Sequence, residues 1–275
     1  MSRKPLSKEE LALSYSKYWY WTQLPLNPLS QELLREPMDP KYALAPENLN
    51  DLFKPGYLER ENGVCVMPDG TGYQANYIWM PNVTVDMIDW WYVWHFVRPP
   101  SVPEEQGNLR YKIWCPQEHV DTGFEDEYSR QRALDESLPL RVRRYGQKNF
   151  ITESIDGGEG DNILHLHAIC HDPKDFGFDP ELVNLPENGT MVTAECGDDL
   201  SVYQFRPYGT GVEMRVRCYR GMRLESGKFV PVPGYKITFE QLVGMSNHVL
   251  VEYPNLARFL PELYAEESRK PIGWY

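Results

Sequence analysis

The sequence predicts an α+β protein in which a large antiparallel sheet surrounds a long C-terminal helix, with a central cavity between them. Strand-like segments follow one another without long helices between them, and strands connected in this way pair antiparallel. Near the C-terminus, Thr238 and Gln241 form a capping box ahead of an apolar helical pattern. Residues 21–56 are rich in proline, which indicates a wrapping segment with short helices and no core of its own.

The first elements are predicted from capping and turn signals. Ser7 and Glu10 make a capping box, which predicts a helix over about residues 8–20. The run GVCVM, the turn PDGTG and the run YQANYIWM predict a β-hairpin that starts at residue 63. Thr84 can cap a short aromatic helix through DMIDWWYVWHF. We therefore expect an N-terminal wrapping helical segment over residues 1–62 and one α+β domain over residues 63–275.

The remaining elements follow from alternating apolar residues and from one proline. Strands are predicted at LRYKIWC (109–115), KNFITESI (148–155), NILHLHAIC (162–170), TMVTAEC (190–196), LSVYQF (200–205) and GVEMRVRCY (211–219). The C-terminal helix is predicted to reach about Tyr253, where Pro254 breaks or kinks it before a further helical stretch.

Composition excludes several classes of protein. The chain has 28 basic and 40 acidic residues, so its charge of −12 does not favour binding to nucleic acid. The five cysteines include no C-x-x-C pair and are expected to be reduced and mostly buried thiols. The most apolar run, at 87–97, is too short to span a bilayer, and no secretory signal is apparent. A cytoplasmic protein without membrane association is expected.

Metal-ligand spacing occurs on the predicted C-terminal helix. His248 and Glu252 are four residues apart, so their side chains lie on one helical face. Apolar neighbours favour a buried position, although the same spacing also fits an exposed ion pair. His119 follows a proline turn, where a side chain can point into a cavity mouth. The periodicity does not decide which way Glu153 faces, and a buried carboxylate would need a partner or a metal.

Other candidate sites are weaker. His165 and His167 share one face of a predicted strand, which fits a metal site or a solvent-exposed sheet face. The chain has no G-x-S-x-G elbow, dinucleotide-binding glycine motif or Walker loop, and GGEG at 157–160 is interpreted only as a turn.

Several segments together resemble a known enzyme family. They are DWWYVWH (89–95), RYKIWCPQEH (110–119), ITESI (151–155), GVEMRVRCYRG (211–221) and HVLVEYPNLARFLPELY (248–264). In combination they are similar to phloretin hydrolase and 2,4-diacetylphloroglucinol hydrolase. The resemblance implies a Bet v 1-like helix-grip fold, one zinc ion, and hydrolysis of the carbon–carbon bond between an acyl group and a phloroglucinol ring.

The resemblance also implies the site residues. By motif, the zinc ligands are His119, Glu153, His248 and Glu252, and one of the two glutamates takes a proton from the attacking water. The substrate is expected to be a small acylphenol, and the protein is expected to be a homo-oligomer.

Two tyrosines and one threonine bear on substrate choice. Tyr111 matches a family tyrosine that binds a phenolic hydroxyl, and Tyr203 is a candidate second contact with the ring. Thr122 stands where the family has an asparagine, so the preferred acyl group or ring is expected to differ. Two other functions stay open, a non-catalytic carrier of aromatic ligands and a non-haem iron oxygenase.

Overall fold

The computed structural model describes residues 5–154 and 163–273 and confirms the α+β class. Its main feature is an eight-stranded sheet with the order β1-β2-β8-β7-β6-β5-β4-β3. These strands are β1 (Gly63–Val66), β2 (Gly72–Pro81), β3 (His119–Phe124), β4 (Lys148–Ser154), β5 (Ile163–His171), β6 (Thr190–Cys196), β7 (Asp199–Tyr208) and β8 (Gly211–Arg220). Antiparallel pairing joins β1 to β2, β2 to β8, β8 to β7, β7 to β6, β5 to β4 and β4 to β3.

A separate antiparallel hairpin and eight α-helices complete the part of the chain that the structure describes. The hairpin pairs β9 (Met222–Glu225) with β10 (Lys228–Pro231). The helices are α1 (Lys8–Leu11), α2 (Pro28–Leu33), α3 (Val85–Trp94), α4 (Leu109–Lys112), α5 (Glu127–Leu134), α6 (Leu140–Arg143), α7 (Pro180–Val183) and α8 (Phe239–Glu267). Short 3₁₀ helices lie at Ser16–Tyr20, Pro40–Tyr42, Pro46–Phe53, Glu104–Gln106, Pro173–Phe176 and Pro186–Asn188. None of the helices in the described ranges is both long and apolar enough for a membrane span.

The described residues form two compact units. The first contains those of Met1–Leu24, Asp86–Ile169 and Asn255–Tyr275, and the second contains Pro25–Val85 and Cys170–Pro254. In the first unit, Trp90 and Trp94 of α3 stack at 4.9 Å, and the edge of Tyr15 packs against Trp94. The aromatic helix predicted near Thr84 is therefore present and buried.

In the second unit, the proline-rich segment packs on one face of the sheet. Its apolar side chains share a core with β2, β7 and β8, and the buried members include Met38, Leu44, Leu49, Leu52, Tyr73, Leu200 and Tyr219. The opposite face of β2 meets the first half of α8. Asn76 donates a hydrogen bond to the Ser246 hydroxyl at 2.6 Å, and a Cβ on Gly72 would lie 2.7 Å from Leu242. Glycine at position 72 thus allows close approach of helix and strand.

Both capping boxes are confirmed, but the first helix is shorter than predicted. The Ser7 side chain accepts from the Glu10 amide, and the Glu10 carboxylate accepts from the Ser7 amide. Helix α1 then ends at Leu11 and a 3₁₀ helix follows at Ser16–Tyr20. Tyr15 and Tyr18 are both fully buried, and a spacing of three residues suits the tighter 3₁₀ turn.

The strand predicted at 109–115 is wrong, because this segment contains α4. The Asn108 side chain caps the helix by accepting from the Arg110 amide. The buried Arg110 guanidinium donates hydrogen bonds to the Tyr15 hydroxyl and to the carbonyls of Trp94 and Ile272, partners that the local sequence does not indicate. The predicted hairpin at 63–80 and the strands at 190–196, 200–205 and 211–219 are confirmed.

Of the break or kink predicted at Pro254, the break is wrong. Helix α8 runs without interruption from Phe239 to Glu267, after the confirmed box of Thr238 and Gln241. Proline removes one helical hydrogen bond, but Tyr253 and Leu256 on either side are buried and packing supports the helix. The strands predicted at 148–155 and 162–170 are present as β4 and β5, whereas residues 155 and 162 and the predicted turn at 157–160 lie outside the described residues.

Candidate metal centre and active site

His119 and Glu153 face each other across two strands. His119 begins β3, and Glu153 of β4 is its cross-strand partner. The His119 Nε2 atom lies 3.7 Å from Glu153 Oε1. The imidazole has no exposed surface and the carboxylate side chain is 20% exposed. Glu153 therefore faces His119, with its carboxylate beside an imidazole nitrogen.

The backbone of Tyr111 favours one tautomer of His119. His119 Nδ1 lies 3.2 Å from the Tyr111 carbonyl oxygen, which can only accept a hydrogen bond. In a neutral imidazole this contact favours hydrogen on Nδ1 and the lone pair on Nε2, the atom beside Glu153. Ligating histidines usually show this arrangement, with the second ring nitrogen donating to a carbonyl or carboxylate.

The Tyr111 side chain contacts the same two residues. Its hydroxyl donates a short hydrogen bond to Glu153 Oε1. Its ring stacks on the His119 imidazole with centroids 3.8 Å apart and planes 5° apart. Tyr111 is buried on α4, eight residues before His119.

His248 and Glu252 form a second pair on α8. Their spacing of four residues places His248 Nε2 3.6 Å from Glu252 Oε2. The Glu252 side chain is only 8% exposed and that of His248 is 24% exposed. The pair is thus more buried than an ordinary surface ion pair, and a buried carboxylate needs a positive or ligating partner.

Cys115 lies four residues before His119, in the same compact unit. His248 and Glu252 belong to the other unit. Sequence reasoning missed Cys115 because it searched only for C-x-x-C pairs. The signal was a C-x-x-x-H spacing, which here closes a turn in which the His119 amide donates to the Cys115 carbonyl at 2.8 Å.

The competing histidine pair lies on an exposed part of β5. His165 and His167 are both exposed. His167 Nδ1 contacts the Glu125 carboxylate and His165 Nδ1 lies 3.3 Å from the Thr152 hydroxyl. These contacts fit the solvent-exposed sheet face that was the alternative to a metal site.

Two further predicted residues have defined places. Tyr203 lies on β7 with its ring centroid 6.1 Å from that of Tyr253 on α8. Thr122 is buried and donates to the Phe150 carbonyl at 2.7 Å. Its side chain therefore hydrogen-bonds β3 to β4.

A buried histidine that sequence reasoning did not single out lies behind Tyr111. The His95 ring lies 5.2 Å from Trp91 and 6.1 Å from Tyr111, nearly parallel to both. Burial lowers the pKa of His95 to about 3, although the Trp91 carbonyl near Nδ1 opposes the shift. His95 is therefore a neutral aromatic member of this stack at ordinary pH.

Comparison with known proteins identifies the family. Residues 44–265 match the DAPG hydrolase PhiG domain. The chain is 31% identical over 270 residues to phloretin hydrolase of Eubacterium ramulus, covering 95% of this chain and 93% of that protein. It is 27% identical over 277 residues to 2,4-diacetylphloroglucinol hydrolase of Pseudomonas protegens, covering 92% and 84% of the two chains. The chain therefore belongs to the DAPG hydrolase PhiG domain family.

Proposed function

We propose that this protein is a zinc-dependent hydrolase that cleaves the carbon–carbon bond between an acyl group and a phloroglucinol-type ring. A phloretin-like acylphenol would give phloroglucinol and a carboxylic acid. The observation that carries the proposal is similarity along 95% of the chain to a phloretin hydrolase. The two histidine–glutamate pairs supply a chemical reason for it.

The proposed zinc ligands are His119, Glu153, His248 and Glu252. Zinc accepts imidazole nitrogen and carboxylate oxygen at about 2.0–2.2 Å, so two such ligands on a tetrahedral ion are about 3.4 Å apart. The nitrogen–oxygen separations of 3.7 and 3.6 Å within the two pairs are close to that value. The orientation of His119, with its lone pair on Nε2, fits the same role.

Cys115 gives an alternative ligand set that a substitution can separate. If His119, Glu153, His248 and Glu252 hold the ion, Cys115→Ala should retain stoichiometric zinc. If the thiolate is a ligand, the same change should weaken zinc binding strongly, and a cobalt-loaded protein should lose its sulfur-to-metal absorption band.

The chemistry requires a ring carbon to become a leaving group. Protonation of the ring carbon that bears the acyl group gives a keto tautomer, in which the acyl carbonyl and the ring carbonyl form a β-diketone. Water then adds to the acyl carbon, the carbon–carbon bond breaks, and its electron pair is delocalised on the ring as an enolate. When bound, zinc polarises a carbonyl oxygen and lowers the pKa of water.

The protein's own groups would orient and exchange protons. We propose that Tyr111 binds a phenolic hydroxyl and that Tyr203 contacts the ring. Glu153 or Glu252 would accept the proton of the attacking water, because each carboxylate lies beside an imidazole at the proposed site.

The broader assignments are part of the same proposal. We propose a Bet v 1-like helix-grip fold with a central cavity, in which residues 1–62 wrap the catalytic domain at 63–275. The sheet and the uninterrupted α8 support this interpretation. We also propose a cytoplasmic homo-oligomer, and the thiol state of all five cysteines is compatible with a reducing compartment.

Incubation with phloretin and identification of the products tests the function. In water labelled with heavy oxygen, the label should enter the carboxylic acid, and oxygen uptake should be absent. Oxygen consumption coupled to turnover would instead support an iron oxygenase. Ligand binding without any product would support a carrier.

A further inference from the structure

We propose that Tyr111 is a positioning residue for the metal centre, holding both His119 and Glu153 in the orientation that binds the ion. This inference rests on the proposed function, because it concerns the same site. It assigns Tyr111 a role beyond contact with the substrate, and it concerns zinc affinity as well as catalysis.

Tyr111 contacts these two residues in three independent ways. Its backbone carbonyl accepts from His119 Nδ1, its ring stacks on the imidazole at 3.8 Å, and its hydroxyl donates to Glu153 Oε1. The first contact favours the tautomer with the lone pair on Nε2. The second restricts rotation of the imidazole, and the third restricts rotation of the carboxylate. One residue therefore contacts both proposed ligands, through its backbone, its ring and its hydroxyl.

The support for Tyr111 is itself rigid. Helix α4 begins with an Asn108 cap, and the Asn108 amide also donates to the carbonyls of His95 and Thr122 at 2.8 and 3.2 Å. The Tyr111 ring centroid also lies 6.1 Å from that of the His95 imidazole, which is in turn stacked on Trp91. A four-ring series of Trp91, His95, Tyr111 and His119 thus leads from the aromatic core to the proposed ligand.

Binding of a phenol is compatible with this role. A tyrosine hydroxyl has one hydrogen and two lone pairs, and the hydrogen is directed to Glu153. Tyr111 can then only accept from a ligand, so the ring hydroxyl that it binds must be a neutral phenol that donates. The hydrogen bond that Tyr111 donates to Glu153 therefore has two consequences: it positions the carboxylate, and it leaves the tyrosine oxygen as an acceptor for a ring hydroxyl.

Tyr111→Phe isolates the hydroxyl, since it keeps the ring and the backbone carbonyl. Partners that orient metal ligands typically contribute 10–100-fold to metal affinity, so we expect zinc binding to weaken by about that factor. The affinity is measured by competition with a chromogenic chelator on metal-depleted full-length protein. In a Glu153→Gln background the same change should have little further effect, because the hydroxyl acts through that carboxylate.

The matched control is Tyr219→Phe. Tyr219 is also a buried tyrosine, and its hydroxyl donates to the Leu44 carbonyl at 2.8 Å, in the core under the proline-rich segment. This variant should lose stability without any change in zinc affinity. A second readout needs no change at Tyr111: nitrogen-15 spectra of the metal-depleted wild type, with His119 assigned by comparison with His119→Gln, should show hydrogen on Nδ1 of His119.

The outcomes separate the two proposals. Wild-type zinc affinity in Tyr111→Phe, or hydrogen on Nε2 of His119, would overturn the positioning role and leave the hydrolase proposal intact. A wild-type protein that binds no zinc would overturn the proposed function, and the positioning role with it. A raised KM at unchanged zinc affinity would show that Tyr111 acts only on the substrate.

Discussion

Neutralising Glu61 should destabilise the second unit more than any neighbouring surface change. The Glu61 carboxylate bridges two buried guanidiniums, with Arg215 Nη2 at 2.6 Å and Arg217 Nη2 at 2.5 Å. The side chain of Glu61 is 12% exposed, and those of the two arginines are 1% and 0% exposed. Glu61→Gln keeps the shape of the side chain but leaves two buried cations without their counter-charge.

The expected magnitude follows from this burial. Removal of one partner from a buried ion pair costs about 3–5 kcal/mol, because the remaining charge stays desolvated. In a chain of this size each kcal/mol corresponds to about 2 °C, so the Tm should fall by about 6–10 °C. Arg215 also donates to the Leu52 carbonyl at 2.7 Å, so the change should loosen the 3₁₀ helix at Pro46–Phe53 as well.

The stability lost in Glu61→Gln should also depend on pH. Burial alone would raise the pKa of Glu61, but hydrogen bonds and charges from Arg215 and Arg217 outweigh it and hold the pKa below 4.5. A carboxyl with a lowered folded pKa stabilises the protein above its unfolded pKa, and this stabilisation is lost as the pH falls through the folded pKa. The Tm difference between wild type and Glu61→Gln should therefore be complete at neutral pH and should narrow below about pH 4.5.

Thermal unfolding followed by circular dichroism measures both effects. Glu59→Gln, two residues away and exposed, is the matched control and should leave the Tm within about 1 °C, as expected for a surface change. If Glu61→Gln unfolds at the wild-type temperature, or if its deficit grows as the pH falls, the reasoning from the buried ion pair is refuted.

Three further outcomes are expected. Elemental analysis should find about one zinc per chain. His248→Ala should abolish this zinc, whereas His165→Ala and His167→Ala, both on β5, should retain it. Loss of zinc in either β5 variant would contradict the proposed ligand set. Asn76→Ala should lower the free energy of unfolding in urea by about 1–3 kcal/mol, because it leaves the fully buried Gln74 amide without the carbonyl that accepts from it at 2.7 Å. Acyl chains should be released only from rings with hydroxyls ortho to the acyl carbon, and equal release from an unsubstituted acylbenzene would exclude the keto tautomer.

Much of the sheet could be predicted because its strands alternate in the ordinary way. Strand β8, from Gly211 to Arg220, shows that alternation predicts a strand even where charged residues are buried. Arg215 and Arg217 occupy positions of one parity and pair with Glu61, while Met214 and Val216 occupy the other, so period-two reasoning holds although both faces are covered.

The same reasoning failed at residues 109–115, where a helix stands in place of the predicted strand. The carbonyls of Trp94 and Ile272 and the Tyr15 hydroxyl accept hydrogen bonds from the buried Arg110 guanidinium. These partners lie far away in the sequence, and no local pattern indicates them. Pro254 is a second example. Its low helix propensity predicts a break, but the buried residues on either side of it pack and support the continuous helix α8.

The candidate site combines both cases. The spacing of His248 and Glu252 is local, and the helix needed to use it was predictable from the capping box at Thr238. The pairing of His119 with Glu153 is not local, since it depends on the register of β3 and β4, and β3 was not among the predicted strands. Only the family resemblance indicated that His119 and Glu153 act together.

The contribution of Tyr111 is visible only in the structure, because a helix in place of the predicted strand directs its carbonyl, ring and hydroxyl to the same two residues. The error in secondary structure and the positioning role therefore have one physical origin, the turn of α4 that begins at the Asn108 cap.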